Sequence, residues 1–155
     1  MKIQLIAIGK NMPPWVVAGF LEYSHRLPKD YALQLVEITP EKRSKKCDVQ
    51  KILQIEAEKI IASLPKNTLC IALDRLGKTI DTETLAKKLQ AWHDTQENVS
   101  LVIGGPEGLA KTGLDQAQVI CSLSALTLPH PLVRVLVAEQ IYRAWSMINH
   151  HPYHR

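Results

Sequence analysis

Short apolar runs alternate along the chain with longer stretches whose apolar positions recur every three or four residues. A run apolar on successive positions suits a strand covered on both faces. A recurrence near 3.6 suits a helix covered on one. Lys2–Ile8 reads as a first strand, closed by a turn at Gly9-Lys10-Asn11. Pro13-Pro14 opens a helix, since proline fits the first helical turn, and Trp15, Val16, Phe20 and Tyr23 carry it to about Arg26. Leu33–Ile38 alternates apolar and polar as a second strand. Asp48 is placed to cap a helix that runs to about Leu64 through Ile52, Ile55, Ile60 and Ile61. Thr68–Leu73 reads as a third strand, and Leu73–Lys78 as a loop at its end. A helix capped by Asp81 or Thr82 follows to about Thr95, with Leu85, Leu89 and Trp92 inward.

The last third is read the same way. Val99–Ile103 is a fourth strand, Glu107 to about Asp115 a loop or a poor short helix, and Val119–Cys121 a fifth strand. A long helix runs from Pro131 to about Asn149. Strands alternating with helices predict an α/β fold with a mostly parallel sheet flanked by helices. No repeat, low-complexity tract or linker interrupts residues 1–155, so one domain is expected. The final helix is apolar nearly all round: Val133, Val137, Ile141 and Ala144 on one side, Leu132, Val135, Tyr142 and Trp145 on another. The expectation is that one side meets a second copy of the chain.

Composition narrows this only slightly. Apolar residues make up 46% and charged residues 22%, as in an ordinary globular protein. No apolar run is long enough to span a membrane, and the N-terminus lacks the pattern of a secretory leader. Cys47, Cys70 and Cys121 are far apart and form no CxxC pair, which fits a reducing cytoplasm and neither a disulfide framework nor a zinc site. The net charge of +4 suits a polyanionic partner without requiring one.

Candidate chemistry gathers at strand ends, where open α/β sheets bind ligands. Gly104-Gly105-Pro106-Glu107-Gly108 is neither GxGxxG nor a GK[ST] phosphate loop. A plain turn and a close backbone approach to a flat ligand both fit it. Leu123–Pro131 is nearly uncharged and stiffened by Pro129 and Pro131. It offers main-chain N–H and C=O groups in an apolar wall, which suits adenine and not a triphosphate. The loop Glu41–Lys46 holds four cations, as a solvated loop or a phosphate-contacting patch. Glu139 and Arg143 stand four apart, so an intrahelical pair is open. The tail His150–Arg155 is either a frayed end or a group of rings and cations for RNA recognition and proton transfer. No carboxylate joins its histidines locally, and no metal is expected.

Ile103–Leu109 (IGGPEGL), Ser122–Ile148 and His151–Arg155 (HPYHR), with MKIQLIAIGK at the start and Leu73–Lys78 (LDRLGK), together resemble the RlmH family of SPOUT methyltransferases over the whole chain. That resemblance implies a sheet with a C-terminal trefoil knot and a cytoplasmic homodimer without an added RNA-binding domain. It implies methylation of N3 of a pseudouridine in 23S rRNA, with S-adenosylmethionine (SAM) as donor. Carried over residue by residue, Leu73, Gly104 and Leu123, Ser124, Ala125, Leu126, Thr127 and Leu128 line the SAM pocket. The imide nitrogen must lose a proton, either to a protein base or because the site favours the deprotonated imide. His130 and His154 are candidate bases, Tyr153 can stack on the target, and Arg155 can hold phosphate or stabilise charge on the neighbouring carbonyls. Arg134 and Arg143 either assist or tie the helix down. The expected substrate is an assembled ribosome or large subunit. Two other readings stand beside this one: an RNA- or ribosome-binding SPOUT module without the chemistry, told apart by failure to bind SAM, and a nucleotide-binding enzyme of flavodoxin or Rossmann type, disfavoured by the missing phosphate loop.

Overall fold

The computed structural model covers residues 1–155. Five strands, β1 (Ile3–Ile8), β2 (Leu33–Ile38), β3 (Leu69–Thr79), β4 (Val99–Ile103) and β5 (Val119–Ser122), form one sheet in the order β2-β1-β4-β3-β5. Every neighbouring pair is parallel. The helices are α1 (Pro14–Ser24), α2 (Val49–Ser63), α3 (Thr82–Asp94), α4 (Lys111–Asp115) and α5 (His130–Ile148). Connections that move toward β2 cross through α1 and α3, which share the face where α5 packs. Those that move toward β5 cross through α2 and α4, which pack together. Crossovers of one hand demand this division.

Strand alternation explains the two-sided core. Ile3, Leu5 and Ala7 of β1 point into the layer of α1, α3 and α5, with Phe20, Leu89, Val137 and Ile141. Ile6 and Ile8 point the other way, onto Ile38, Ile60 and Val102. The central strands are buried on both faces, so they read as unbroken apolar runs. Caps end where the sequence placed them: Asp48 accepts from the N–H groups of Gln50 and Lys51, and Asp81 from that of Thr84.

One expectation needs correction. Leu73–Lys78 is not a loop beyond the third strand. Strand pairing resumes at Lys78, which stands opposite Cys121 just as Leu73 does, so Asp74–Gly77 bulges out and the strand continues to Thr79. A Cβ on Gly77 would lie 2.7 Å from the Cys121 carbonyl carbon, which is why the return against β5 needs glycine. Polar residues hid this extension from the apolar pattern; its pairing is tertiary. Within the single chain, helix α5 leaves no fully exposed position between His130 and Ile148. Its flanks are met by α1 and α3, with Val135 against Gly19 and Tyr142 near Tyr23. The exposed large apolar side chains are Trp15, Val17 and Leu21 on α1, Val49 at the start of α2, Ile120 in β5, and Leu76 and Leu126 in the bulge and loop at the cavity.

Candidate active site

Parallel strands all end at the same edge, so the loops after β4 and β5 and the bulge of β3 arrive together. They enclose a cavity of about 800 Å³ lined by Leu73–Leu76, Ile103–Leu109, Leu114, Ser122–Ser124, Leu126–His130 and Val133. This is the size of a pocket for a cofactor-sized molecule. Of the positions expected from the resemblance, Leu73, Gly104, Leu123, Ser124, Leu126, Thr127 and Leu128 line it, and Ala125 faces outward.

Local geometry shows why these residue types are needed. A Cβ on Gly104 would lie 2.3 Å from the Gly108 carbonyl oxygen, so the GGPEG turn closes only with glycine there. Gly108 adopts φ +82°, a left-handed conformation suited to glycine. Across the cavity, the main chain of residues 123–128 is almost free of internal bonds. Within it only the Leu126 N–H, which donates to Ser124 Oγ, and the Ser124 carbonyl, which accepts from Ser122 Oγ, are engaged. Free amide groups beside Leu123 and Leu128 form the apolar, hydrogen-bonding wall expected for a flat uncharged ring.

Two carboxylates and an imidazole also line this cavity. Asp74 accepts from the Leu76 N–H through one oxygen, and its other oxygen has no partner within the chain. Glu107 is held by Arg43, whose Nε and Nη2 donate to it at 3.0 and 2.7 Å; this pairing keeps the Glu107 carboxyl below its usual range. The same guanidinium donates to both oxygens of the buried Glu56 at 3.0 and 3.1 Å. Arg43 thus fastens the charged loop after β2 to the glycine loop after β4. Its role, and that of Glu56, was hidden in sequence because they lie 64 and 51 positions from Glu107, so no local spacing joins them. His130 opens α5 at the cavity wall, with Nδ1 buried and unpartnered. Burial, then Arg134 and Arg43, lower its pKa below 6.5.

The other sequence candidates lie elsewhere in the chain. Tyr153, His154 and Arg155 follow the far end of α5. The 19-residue helix between them and His130 is about 28 Å long. Tyr153 OH donates to Glu139 at 2.9 Å, and its ring packs 4.7 Å from that of Tyr142 with the Arg143 guanidinium over it. Burial first and Glu139 second raise the Tyr153 pKa, so the phenol stays protonated. Arg143 also donates to Glu139 at 2.8 Å, the intrahelical pair left open by spacing. Arg134 is 1% exposed and donates to Glu37 at 2.7 Å and to the Gly9 carbonyl at 2.9 Å. It ties α5 to the ends of β1 and β2.

A parallel sheet with a cofactor-sized cavity built from three strand-end segments defines a class of ligand-binding α/β proteins. The family model described as predicted SPOUT methyltransferase matches residues 1–154, and the chain belongs to that family. Over all 155 residues it is 55% identical to the ribosomal RNA large subunit methyltransferase H of Coxiella burnetii (strain Dugway 5J108-111), covering 100% of both chains. Its fold is similar to that of a probable methylase family protein from Haemophilus influenzae Rd KW20, with TM-score 0.58, 16% identity, and coverage of 97% of this chain and 69% of that one. A probable methyltransferase from Bordetella pertussis Tohama I gives TM-score 0.58, 17% identity, and coverage of 92% and 95%.

Proposed function

We propose that this chain is an S-adenosylmethionine-dependent methyltransferase acting on N3 of a pseudouridine in 23S rRNA of the large ribosomal subunit, in the cytoplasm. The observation that carries the reading is the cavity: three strand-end segments meet around free main-chain groups, unpartnered carboxylate oxygen and a half-buried imidazole. These features fit the methyl donor. The wall at 123–128 suits its adenine. Leu73 and Leu128 suit its apolar parts, and Asp74 suits its positive charge. Bound there, the donor supplies a methyl group already activated on sulfonium. The protein's part is then placement and proton removal.

His130 is the one candidate base from the sequence that lines this cavity. Its lowered pKa keeps it neutral at pH 7, so it can accept the imide proton. His154, Tyr153 and Arg155 cannot reach the same reacting atom from the same chain. They can do so from a second copy, and a homodimer with sites shared between subunits accounts for both ends of α5. The exposed Trp15, Val17 and Leu21 on α1 favour burial against that copy. The reading includes the trefoil knot, supported by the close meeting of segments 73–79, 104–109 and 122–130.

Calorimetric titration with S-adenosylmethionine, run beside the mass in solution, tests this. Binding by a dimer is expected, and Leu123–Leu128 variants should lose it. A folded dimer that ignores the donor would favour the RNA-binding module that lacks the chemistry.

A further inference from the structure

Because every strand is parallel, one edge of the sheet collects all five C-terminal ends, and this edge also collects unpaired cations. Lys10 follows β1. Lys42, Lys45 and Lys46 follow β2. Arg75 lies in the β3 bulge, Lys78 ends it, and Lys111 follows the loop after β4. All are exposed, and none takes part in any ion pair of the structure. Of the acidic groups nearby, Asp74 inside the cavity keeps one free oxygen, and the others are engaged. Glu41 pairs with Lys59, Glu56 and Glu107 pair with Arg43, and Asp48 and Asp81 cap helices. The opposite edge differs: Lys2, Lys29 and Lys66 are exposed there among Asp30, Asp94 and Glu97.

Arg75 lines the cavity itself, and the lysine-bearing loop is joined to the lining residue Glu107 through Arg43. The loop bearing Lys42, Lys45 and Lys46 does not hang free. Arg43, in its middle, is fixed to Glu56 below, to Glu107 on the cavity rim and to the Glu41 carbonyl at 3.0 Å. One arginine therefore spends its charge on folding, and its three lysine neighbours are presented beside the rim with theirs unspent. Between the cations, Leu76 (77% exposed) and Leu126 (74% exposed) offer apolar contact at the mouth. Free cations around apolar rim residues suit a nucleic acid whose target base is splayed out while its flanking phosphates stay on the surface.

We infer that this strand-end edge is the RNA-contact surface, with Lys42, Lys45 and Lys46 binding phosphates of the strand that delivers the target nucleotide to the cavity. The inference rests on the rRNA reading above and adds where the backbone runs. It makes contact with RNA a property of the catalytic edge itself.

The test compares two triple variants of the full chain: Lys42→Gln/Lys45→Gln/Lys46→Gln, and Lys2→Gln/Lys29→Gln/Lys66→Gln at the opposite edge. Binding to large ribosomal subunits lacking the modification is measured over a salt series, with S-adenosylmethionine affinity as the check on folding. The first variant should bind subunits at least tenfold more weakly and keep its affinity for the methyl donor. Its log K against log salt should be shallower by about 2–3, each of the three lost phosphate contacts removing about 0.7–0.9. The second should match the wild type. Wild-type affinity and slope in the first variant, or equal losses in both, overturn the inference alone. A wild-type chain that binds no ribosomal RNA at low salt overturns the rRNA reading and this inference with it.

Discussion

At the scale of residues, burial separates side chains that act from those that hold the fold. His130 and Arg134 sit four apart at the start of α5, yet only His130 lines the cavity. With a folded pKa below the 6.5 of a free imidazole, His130 binds fewer protons folded than unfolded. Its neutral form stabilises the protein above pH 6.5, and that contribution is lost as pH falls through 6.5 toward the folded value. An NMR titration of His130 should give a midpoint below 6.5, and His130→Asn should flatten the acid loss of stability. A midpoint above 6.5 would remove the basis for its role as proton acceptor. Arg134 makes a different prediction. Glu37→Leu leaves its buried guanidinium without a counter-charge and should cost about 2–3 kcal/mol in denaturant unfolding; a loss under about 0.5 kcal/mol would show that the carbonyls of Ile8 and Gly9 suffice. Sequence proposed both arginine roles, assistance or tying, and could not choose, because the partners Glu37 and Gly9 are more than 90 positions away.

At the scale of elements, the glycine turn and the bulge set the shape of the cavity. Gly104→Ala pushes a methyl into the Gly108 carbonyl. It should weaken S-adenosylmethionine binding at least tenfold, whereas Gly113→Ala, whose Cβ meets Ala57 at an ordinary 3.5 Å, should leave it unchanged. Equal binding by both variants would mean that the turn does not shape the cofactor site. Elements with local signals were legible in advance: β2 and β4 fall where apolar patterning put them, Asp48 caps α2 as expected, and of Asp81 and Thr82 it is Asp81 that caps α3. The elements that escaped depend on distant pairing. Lys78 and Thr79 are polar, and only β5 beside them makes them strand. Part of the apolar surround of α5 is met within the chain by Tyr23, Gly19 and the α3 layer. The cavity-lining loops were legible because strand ends followed by Gly and Pro are where the chain must turn. The Arg43 clamp was not.

At the scale of the whole molecule, the length of α5 sets the assembly problem. Its two ends carry the two groups of candidate catalytic residues, too far apart to meet within one chain. Shared sites in a dimer make a specific prediction: His130→Ala and His154→Ala homodimers should each be impaired, and mixing them under subunit exchange should restore activity in the hybrids by leaving one intact site. No recovery in verified hybrids would place the two histidines in the same subunit's site or outside the chemistry. The central claim is the reaction itself. Large subunits and ribosomes lacking the modification should be incubated with the protein and methyl-labelled S-adenosylmethionine, and the labelled 23S rRNA mapped by mass. The account predicts one methyl per ribosome, on N3 of a pseudouridine, with none transferred to already modified particles. Absence of label from both substrates, with a donor-binding dimer in hand, would contradict it.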